Sequence, residues 1–309
     1  MNKSITSFFR LIFLFCSVFL IQSNLRAAEQ TPLNIYVVNY PLKYFSQTIA
    51  GPHATVTLPM PSDIDPAFWS PEPEDIIKIQ KADLILLNGA NYAKWLPKVS
   101  LPIFKLVDTS SAFKNDYIGI KSEITHQHGT GGKHSHAGTA FTTWLDFSQA
   151  AKQAESVYKA LLKKSPELKS ELEKNFNTLQ GAILDLDADM TQIGRSLNQK
   201  PILGSHPVYQ YLKRRYKLNL KSVHWEPDEI PSESQWNNLQ VILKNHPAKL
   251  MLWEAEPATE TISKLEELGI KSIVFSPSAN QPKTGDFMSI MRENVERLNN
   301  NAKKSQTRQ

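Results

Sequence analysis

The sequence predicts an α/β protein of two lobes, each a mostly parallel β-sheet flanked by helices, joined by one long helix. Three observations lead to this prediction. Short β-rich segments alternate with helical segments from Leu33 onward, the alternation stops at a helical region over residues 146–197, and it then resumes towards the end of the chain. Alternation of this kind is typical of βα units, in which successive strands run parallel.

The N-terminus has the pattern of a secretory signal peptide over residues 1–27. Two basic residues flank an apolar run at 11–21, and small residues follow at Ala27. The run is shorter than the roughly 18 residues of a membrane-spanning helix. We therefore expect cleavage near Ala27 and a periplasmic location. Bulky residues precede Cys16, which disfavours lipid attachment and predicts a mature chain without cysteine.

Charge and length limit the function classes. The 309 residues include 35 basic and 30 acidic side chains, and three of the basic ones precede Ala27. The mature chain then has 32 basic and 30 acidic residues, a net charge of +2 without a dense basic stripe. Nucleic acid is therefore a disfavoured partner. The length is sufficient for one or two hydrophobic cores, and two domains are the natural expectation.

The N-terminal lobe is predicted over residues 28–165. Its expected strands are LNIYVVN, ATVTLPM, DLILLNG and LPIFKLVD, and its expected helices are YPLKYFSQTIA, PEDIIKIQKA and NYAKWLPKV. The continuous apolar run of DLILLNG suits a strand that is covered on both faces. Residues 109–143 lack apolar periodicity and are predicted to form a surface loop, with a His-rich part at 121–141.

A long connecting helix is predicted over residues 166–197. Pro166 marks a boundary with the preceding helical stretch, and apolar residues recur every three or four positions from Leu168 to Ile193. About 30 residues with a rise of 1.5 Å each make a rod of about 45 Å. A helix of this length reaches across more than one lobe.

The C-terminal lobe is predicted over residues 198–309. Its expected strands are KPILGS, LNLKSVH, AKLMLWE and IKSIVFS, and its expected helices are HPVYQYLKRRY, SESQWNNLQVILKNH, PATETISKLEELG and GDFMSIMRENVERLNN. Both lobes are therefore expected to be Rossmann-like. The tail from Asn300 onward is expected to fray.

A cluster of histidines lies in the loop predicted within the N-terminal lobe. Four of the eight histidines fall within eleven residues, as two His-x-His pairs separated by a Gly-rich linker: His126, His128, His134 and His136. A flexible linker would let four imidazoles converge on one ion. A solvated polar loop is the alternative, but such a density of histidine favours metal contact. Because a flexible loop must be ordered on binding, we expect weaker affinity than at a preformed site.

Several motifs occur in an order that resembles one family. They are DIDPAFWSPEPEDIIKIQKADLILLNGANYAKWL, TTWLDFSQA, GSHPVYQYLKRRYKL, EPDEIPSESQW, LMLWEAEP and IVFSPSANQP. With the two lobes, the long helix and the His-rich loop, this set resembles the periplasmic zinc- and manganese-binding proteins of ABC transporters, the high-affinity zinc uptake receptors. The resemblance implies a monomeric solute-binding component that captures Zn²⁺ or Mn²⁺ and delivers it to an inner-membrane permease. It also implies that the chain is not an enzyme.

The same resemblance implies a metal site between the lobes, made of three histidines and one carboxylate. The corresponding positions here are Ala67, Thr142, His206 and Ser276. Alanine and threonine cannot replace imidazole as ligands of useful affinity. The usual site is therefore expected to be altered, with His206 as its one retained ligand.

His206 and Glu254 are the cleft residues that we select as metal-ligand candidates, beside the four loop histidines. A carboxylate such as Glu254 or Asp65 could complete a weak site with His206. The alternative is that Ser205 or His206 caps a helix whose first turn contains Pro207.

Two further interpretations follow from the altered ligand positions. The chain could be a divergent paralogue that binds a metal chelate or an organic solute, using aromatic side chains of the cleft-forming segments: Phe68, Trp69, Trp144, Tyr209, Trp225 and Trp253. At least half of these are expected only to pack in the core. Alternatively, the protein could be a periplasmic zinc chaperone or buffer that uses only the His-rich loop.

Overall fold

The computed structural model describes residues 31–120, 125–127, 133–135 and 138–304. The N-terminal sheet consists of four parallel strands in the order β2-β1-β3-β4: β1 (Leu33–Val37), β2 (Ala54–Thr57), β3 (Leu84–Leu87) and β4 (Leu106–Asp108). β3 is almost entirely buried, as its apolar sequence predicts. The predicted signal peptide over residues 1–27 lies outside the described residues.

Two helices, α1 (Tyr40–Ala50) and α2 (Pro73–Lys81), flank this sheet. The Asn39 side chain accepts a hydrogen bond from the backbone N–H of Leu42 at 3.2 Å and so caps α1. The helix predicted at NYAKWLPKV is wrong: residues 90 and 91 have φ values of 49° and 56°, and only one 3₁₀ turn forms, at Leu96–Lys98. Left-handed residues directly after β3 turn the chain too sharply for a helix to start.

The segment at 109–143 is more regular than the predicted loop. It contains a 3₁₀ helix at Ser111–Asp116 and four short strands: β5 (Gly119–Ile120), β6 (Thr125–Gln127), β7 (Lys133–Ser135) and β8 (Gly138–Thr139). β5 pairs with β8 and β6 pairs with β7, both antiparallel. Strands of two or three residues are too short to give a periodic apolar signal, which explains why sequence reasoning missed them.

Two helices follow, α3 (Phe147–Lys164) and α4 (Lys169–Leu197), separated by a 3₁₀ turn at Pro166–Leu168. α4 has 29 residues and is therefore about 43 Å long. Its buried side consists of residues of the predicted apolar stripe: Leu172, Phe176, Leu179, Ile183, Leu186, Met190 and Ile193. None of the described helices is long and apolar enough to cross a membrane.

The C-terminal sheet is also four-stranded and parallel, in the order β10-β9-β11-β12: β9 (Ile202–Gly204), β10 (Leu220–Ser222), β11 (Leu250–Trp253) and β12 (Lys271–Val274). Four helices accompany it: α5 (Gln210–Arg215), α6 (Glu233–Asn245), α7 (Thr259–Glu267) and α8 (Phe287–Lys304). The predicted fold class is confirmed. The expected fraying is wrong for residues 300–304, because α8 continues to Lys304, and residues 305–309 lie outside the described residues.

One hydrophobic core runs through both halves of the chain. The largest buried cluster contains side chains of the N-terminal sheet, of α3 and α4, and of the C-terminal segments that pack on α4. A second, smaller cluster contains three tryptophans, Trp225, Trp236 and Trp253, on the far side of the C-terminal sheet. Because the main core is continuous, burial of apolar surface holds the two sheets in one arrangement. The predicted domain boundaries at residues 165 and 197 stay a prediction.

A buried ionic group ties α4 to the C-terminal lobe. Asp187 on α4 is 9% exposed and accepts hydrogen bonds from Arg215 Nε at 2.9 Å and Nη2 at 2.5 Å. It also accepts one from the Tyr216 hydroxyl at 3.0 Å, and that hydroxyl accepts one from the backbone N–H of Phe147 at 3.1 Å. Burial, and then the Asp187 charge, raise the pKa of Tyr216, so its hydroxyl remains a donor.

A second set of contacts joins the lobes directly, through the segment that follows β12. Trp144 Nε1 donates to Pro277 O at 2.7 Å, and the backbone N–H of Tyr40 donates to Ala279 O at 2.8 Å. Asn280 Nδ2 is 2.7 Å from the carbonyl oxygens of both Pro61 and Ile64. These hydrogen bonds hold the lobes together on one side.

Asp187→Asn is expected to lower the free energy of unfolding by about 1 kcal/mol, because the partly exposed Arg215 and the buried Tyr216 hydroxyl lose their charged acceptor. Urea unfolding at fixed pH measures this change. Asp185→Asn, on an exposed position of the same helix, is the matched control and should unfold like the wild type. Equal midpoints for the two variants would contradict the assigned role.

Candidate metal centre

A cavity of about 470 Å³ lies between the two lobes. Its N-terminal wall includes Asp63, Asp65, Tyr92, Phe141, Thr142 and Trp144, and its C-terminal wall includes His206, Val208, Glu226, Glu254, Ser276 and Ser278. Among the described lining residues there are four carboxylates and no lysine or arginine. The walls therefore create a negative potential that favours a cation.

The C-terminal polar residues meet because the strands are parallel. His206 follows β9 by two residues, Glu226 follows β10 by four, and Glu254 comes directly after β11. In a parallel sheet the carboxyl ends of neighbouring strands lie at one edge, so short segments after them converge there. The fold thus brings together three residues that are 20 to 48 positions apart in the sequence.

His206, Glu226 and Glu254 form a group with the geometry of a metal site. His206 Nδ1 lies 3.4 Å from Glu226 Oε1 and 3.7 Å from Glu254 Oε1, and the three donor atoms all lie within 4.8 Å of one another. In a tetrahedral zinc site with ligand bonds of about 2.0–2.2 Å, neighbouring donors are about 3.4 Å apart. Small side-chain shifts are therefore sufficient for all three to bind one ion.

Burial makes this group different from a surface ion pair. The His206 side chain is 1% exposed, and those of Glu226 and Glu254 are 11% and 24% exposed. Partial burial strengthens the attraction of these two carboxylates for a cation compared with carboxylates at the surface. A divalent ion at this point would interact with all three side chains.

His224 lies beside the group, with its ring centroid 6.0 Å from that of His206. Burial lowers the pKa of His224, and the neighbouring Glu226 charge opposes this effect. The imidazole is therefore neutral at ordinary pH, the form that can bind a metal. It lies next to the three-residue group and is not one of its members.

Of the two carboxylates considered with His206, the structure brings Glu254 to it. Asp65 lies on the opposite wall, where its Oδ1 accepts a hydrogen bond from the backbone N–H of Ala67 at 2.9 Å. Sequence reasoning did not select Glu226 or His224. Both follow the end of β10, just as His206 follows the end of β9. This shared position after a strand could have indicated them.

The other three positions at which the family usually has metal ligands have poor donors here. Ala67 is fully buried and has no donor atom. The Thr142 hydroxyl donates to Val208 O at 2.5 Å, and Ser276 Oγ accepts from the backbone N–H of Ser278 at 3.2 Å. Both hydroxyls are thus already engaged with backbone groups.

The interpretation of His206 or Ser205 as a helix cap is wrong. α5 begins at Gln210, and its N-cap position is Tyr209, three residues after His206. Pro207 lies in the intervening turn instead of the first helical turn. The short turn leaves the His206 side chain on the cleft wall.

Most of the six aromatic candidates pack in the core. Trp225 and Trp253 belong to the C-terminal tryptophan cluster, and the rings of Trp69 and Trp95 pack edge to face with centroids 5.9 Å apart. Of the six, Trp144 lines the cavity. Tyr92 and Phe141, which sequence reasoning did not select, line it as well.

The His-rich loop is described in part. The backbone register of β6 and β7 places His126 opposite His134. His128 and His136 lie outside the described residues. The loop histidines therefore stay predicted ligands.

Two α/β lobes around a cation-favouring cleft define the class of two-lobe solute-binding proteins. The family described as ZnuA, zinc-uptake complex component A, periplasmic, matches residues 35–301. The chain belongs to this family, as the motif order predicted. Members of the family are solute-binding receptors that work with ABC transporter permeases, and they are not enzymes.

Two relatives illustrate the similarity. The high-affinity zinc uptake system protein ZnuA of Bacillus subtilis is 26% identical over 279 residues, which cover 86% of each chain. The zinc-binding lipoprotein AdcA of Streptococcus pneumoniae is 25% identical over 296 residues, 92% of this chain but 58% of AdcA. The chain thus spans less than two thirds of AdcA.

Solved structures agree with the fold. The metal-dependent lipoprotein YcdH of Bacillus subtilis superposes with a TM-score of 0.73 at 23% identity, over 87% of this chain and 98% of YcdH. The Zn(II)-bound ZnuA-like domain of AdcA from Streptococcus pneumoniae gives a TM-score of 0.72 at 22% identity, over 87% of this chain and 98% of that domain. At this identity the likeness shows the fold alone.

Glu226→Gln and Glu254→Gln are each expected to weaken divalent-cation binding by about 100-fold, because each change removes a charged donor from the dry group. Calorimetric titration with Zn²⁺ measures the change. Glu256→Gln, on an exposed position two residues from Glu254, is the matched control and should bind like the wild type. Equal losses in all three variants would point to a general electrostatic effect and not to ligation.

Thr142→Val is expected to leave cation affinity unchanged, because the Thr142 hydroxyl is engaged with Val208 O. The same change should lower the free energy of unfolding by about 1 kcal/mol, since the carbonyl loses its donor. Parallel titration and urea unfolding separate the two effects. Loss of affinity without loss of stability would show that Thr142 is a ligand.

Proposed function

We propose that this protein is the periplasmic solute-binding component of a metal ABC transporter and that its ion is bound by His206, Glu226 and Glu254. The convergence of these three donors on one wall of the cleft is the observation on which the proposal depends. Membership of the zinc-uptake family supplies the transporter context. Zn²⁺ accepts imidazole nitrogen and carboxylate oxygen, which fits the donor set.

Zn²⁺ is the proposed cargo and Mn²⁺ is the alternative. The family and the relatives ZnuA and AdcA are named for zinc uptake or zinc binding, which supports zinc. Two carboxylates and one imidazole form a harder donor set than three imidazoles, and such a set also suits Mn²⁺. Comparative titration with both ions decides between them.

In the proposed cycle the ion enters the cleft, binds the C-terminal wall, and is delivered to a permease in the inner membrane. The mature protein would be a monomer, formed by cleavage near Ala27. All three ligands belong to the C-terminal lobe, so the ion is not needed to bridge the lobes. The hydrogen bonds of Ala279 and Asn280 with the N-terminal lobe hold that arrangement independently of metal.

The His-rich loop is proposed as an accessory collector of metal beside the cleft. The pairing of His126 with His134 in the backbone register supports this role, because it brings one histidine of each His-x-His pair to neighbouring strands. A periplasmic zinc chaperone or buffer that uses only this loop is the second candidate function. It predicts that the cleft contributes nothing to metal binding.

Calorimetry with Zn²⁺ and Mn²⁺ on three mature forms tests the proposal: wild type, a deletion of residues 126–136, and His206→Ala. The deletion should remove weak binding and leave a tight site, whereas His206→Ala should abolish the tight site. His53→Ala, a partly exposed histidine that pairs with Glu171 outside the cleft, is the control. Binding that vanishes with the deletion and survives His206→Ala would favour the loop-only buffer.

A further inference from the structure

We propose that the cleft binds its metal ion together with a small organic chelator, as a ternary complex. His206, Glu226 and Glu254 would hold the ion, and the opposite wall would hold the chelator. The chelator class is an amino acid with amine or imidazole donors, whose complex with a divalent ion keeps a positive charge. This inference rests on the proposed function, since it assumes that the cleft binds metal.

The size of the cavity is the first argument. It measures about 470 Å³, whereas a single water molecule occupies about 30 Å³. Pockets of about 300–1,000 Å³ are typical of sites for organic ligands. An ion at the C-terminal wall would fill a small part of this space, and the rest has the size of a small organic molecule.

The number of protein donors is the second argument. Three donors leave at least one coordination position of Zn²⁺ open, and more for a six-coordinate ion. The described side chains of the facing wall include Tyr92, Phe141 and Trp144, whose rings are in contact. The ring centroid of Tyr92 lies 5.3 Å from that of Phe141 and 5.7 Å from that of Trp144. Such a wall suits the carbon skeleton of a ligand and not a bare ion.

Two buried hydroxyl groups on the walls are the third argument. Tyr92 is 1% exposed and Ser278 is 7% exposed, and neither hydroxyl has a hydrogen-bond partner among the described residues. Burial, and then the Asp65 charge, raise the pKa of Tyr92 well above its ordinary value, so its hydroxyl is a donor. A buried unsatisfied polar group is destabilising. The carboxylate of a chelator in the cavity would supply an acceptor for such hydroxyl donors.

Charge selects among chelators. The four carboxylates of the described lining, Asp63, Asp65, Glu226 and Glu254, face no lysine or arginine in that lining. A complex that is itself anionic, such as a metal citrate, would be repelled. A histidine complex of Zn²⁺ in a 1:1 ratio retains a positive charge and adds an amine, an imidazole and a carboxylate as donors.

Native mass spectrometry and calorimetry on the mature protein test this inference with three solutions: Zn²⁺ alone, Zn²⁺ with L-histidine, and Zn²⁺ with citrate. We expect one zinc and one histidine retained per chain, and an apparent zinc affinity that excess histidine does not lower. Citrate should lower that affinity and should not be retained.

Tyr92→Phe removes only the hydroxyl and should weaken binding of the zinc–histidine complex roughly five- to tenfold, the effect of one hydrogen bond. Tyr158→Phe is the matched control, since Tyr158 stacks on Phe176 with centroids 4.8 Å apart and does not line the cavity. This control should bind the complex like the wild type.

Two outcomes would overturn the inference in different ways. If zinc binds but histidine only competes for it, with no histidine retained, the chelator is absent and the proposed function stands. If zinc binds neither alone nor with histidine, the proposed function fails as well.

Discussion

The parallel register of the C-terminal sheet is the constraint on which the candidate site depends. β9 pairs with β10 on one side and β11 on the other, so that Gly204 lies opposite Ser222 and Leu252. The chain leaves all three strands at the same edge, and the residues that follow them must share a small volume. An imidazole and two carboxylates meet there because of backbone hydrogen bonding, and their proximity in turn lowers the cost of binding a cation.

The second determinant is the way in which the lobes are held. α4 crosses both of them, its apolar stripe is part of one continuous core, and Asp187 fixes it to Arg215 and Tyr216. The Pro277 and Ala279 carbonyls accept hydrogen bonds from the N-terminal lobe. The proposed ligands come from one lobe, whereas other contacts hold the lobes together, so the two features can vary independently. The cleft can therefore change its ligand set without loss of the fold.

The sequence predicted those parts of the fold that local patterns determine. Alternating strands and helices, the stripe of α4 and the break at Pro166 are all periodic or local signals, and His206 and Glu254 were identified from motifs. Sequence reasoning did not select Glu226 and His224, because their closeness to His206 depends on the order of the strands in the sheet, and local spacing does not reveal strand order. The helix start predicted at Pro207 was wrong for a related reason. Proline is a local signal for the first helical turn, whereas tertiary contacts determine the turn after β9.

The position of the bound ion tests this account most directly. A crystal structure of the zinc-loaded protein, with anomalous differences recorded at the zinc edge, would locate it. The account predicts a peak at about 2.0–2.2 Å from His206 Nδ1 and from one oxygen each of Glu226 and Glu254. A peak on the Asp63 and Asp65 wall, or at the His-rich loop with none at His206, would contradict it.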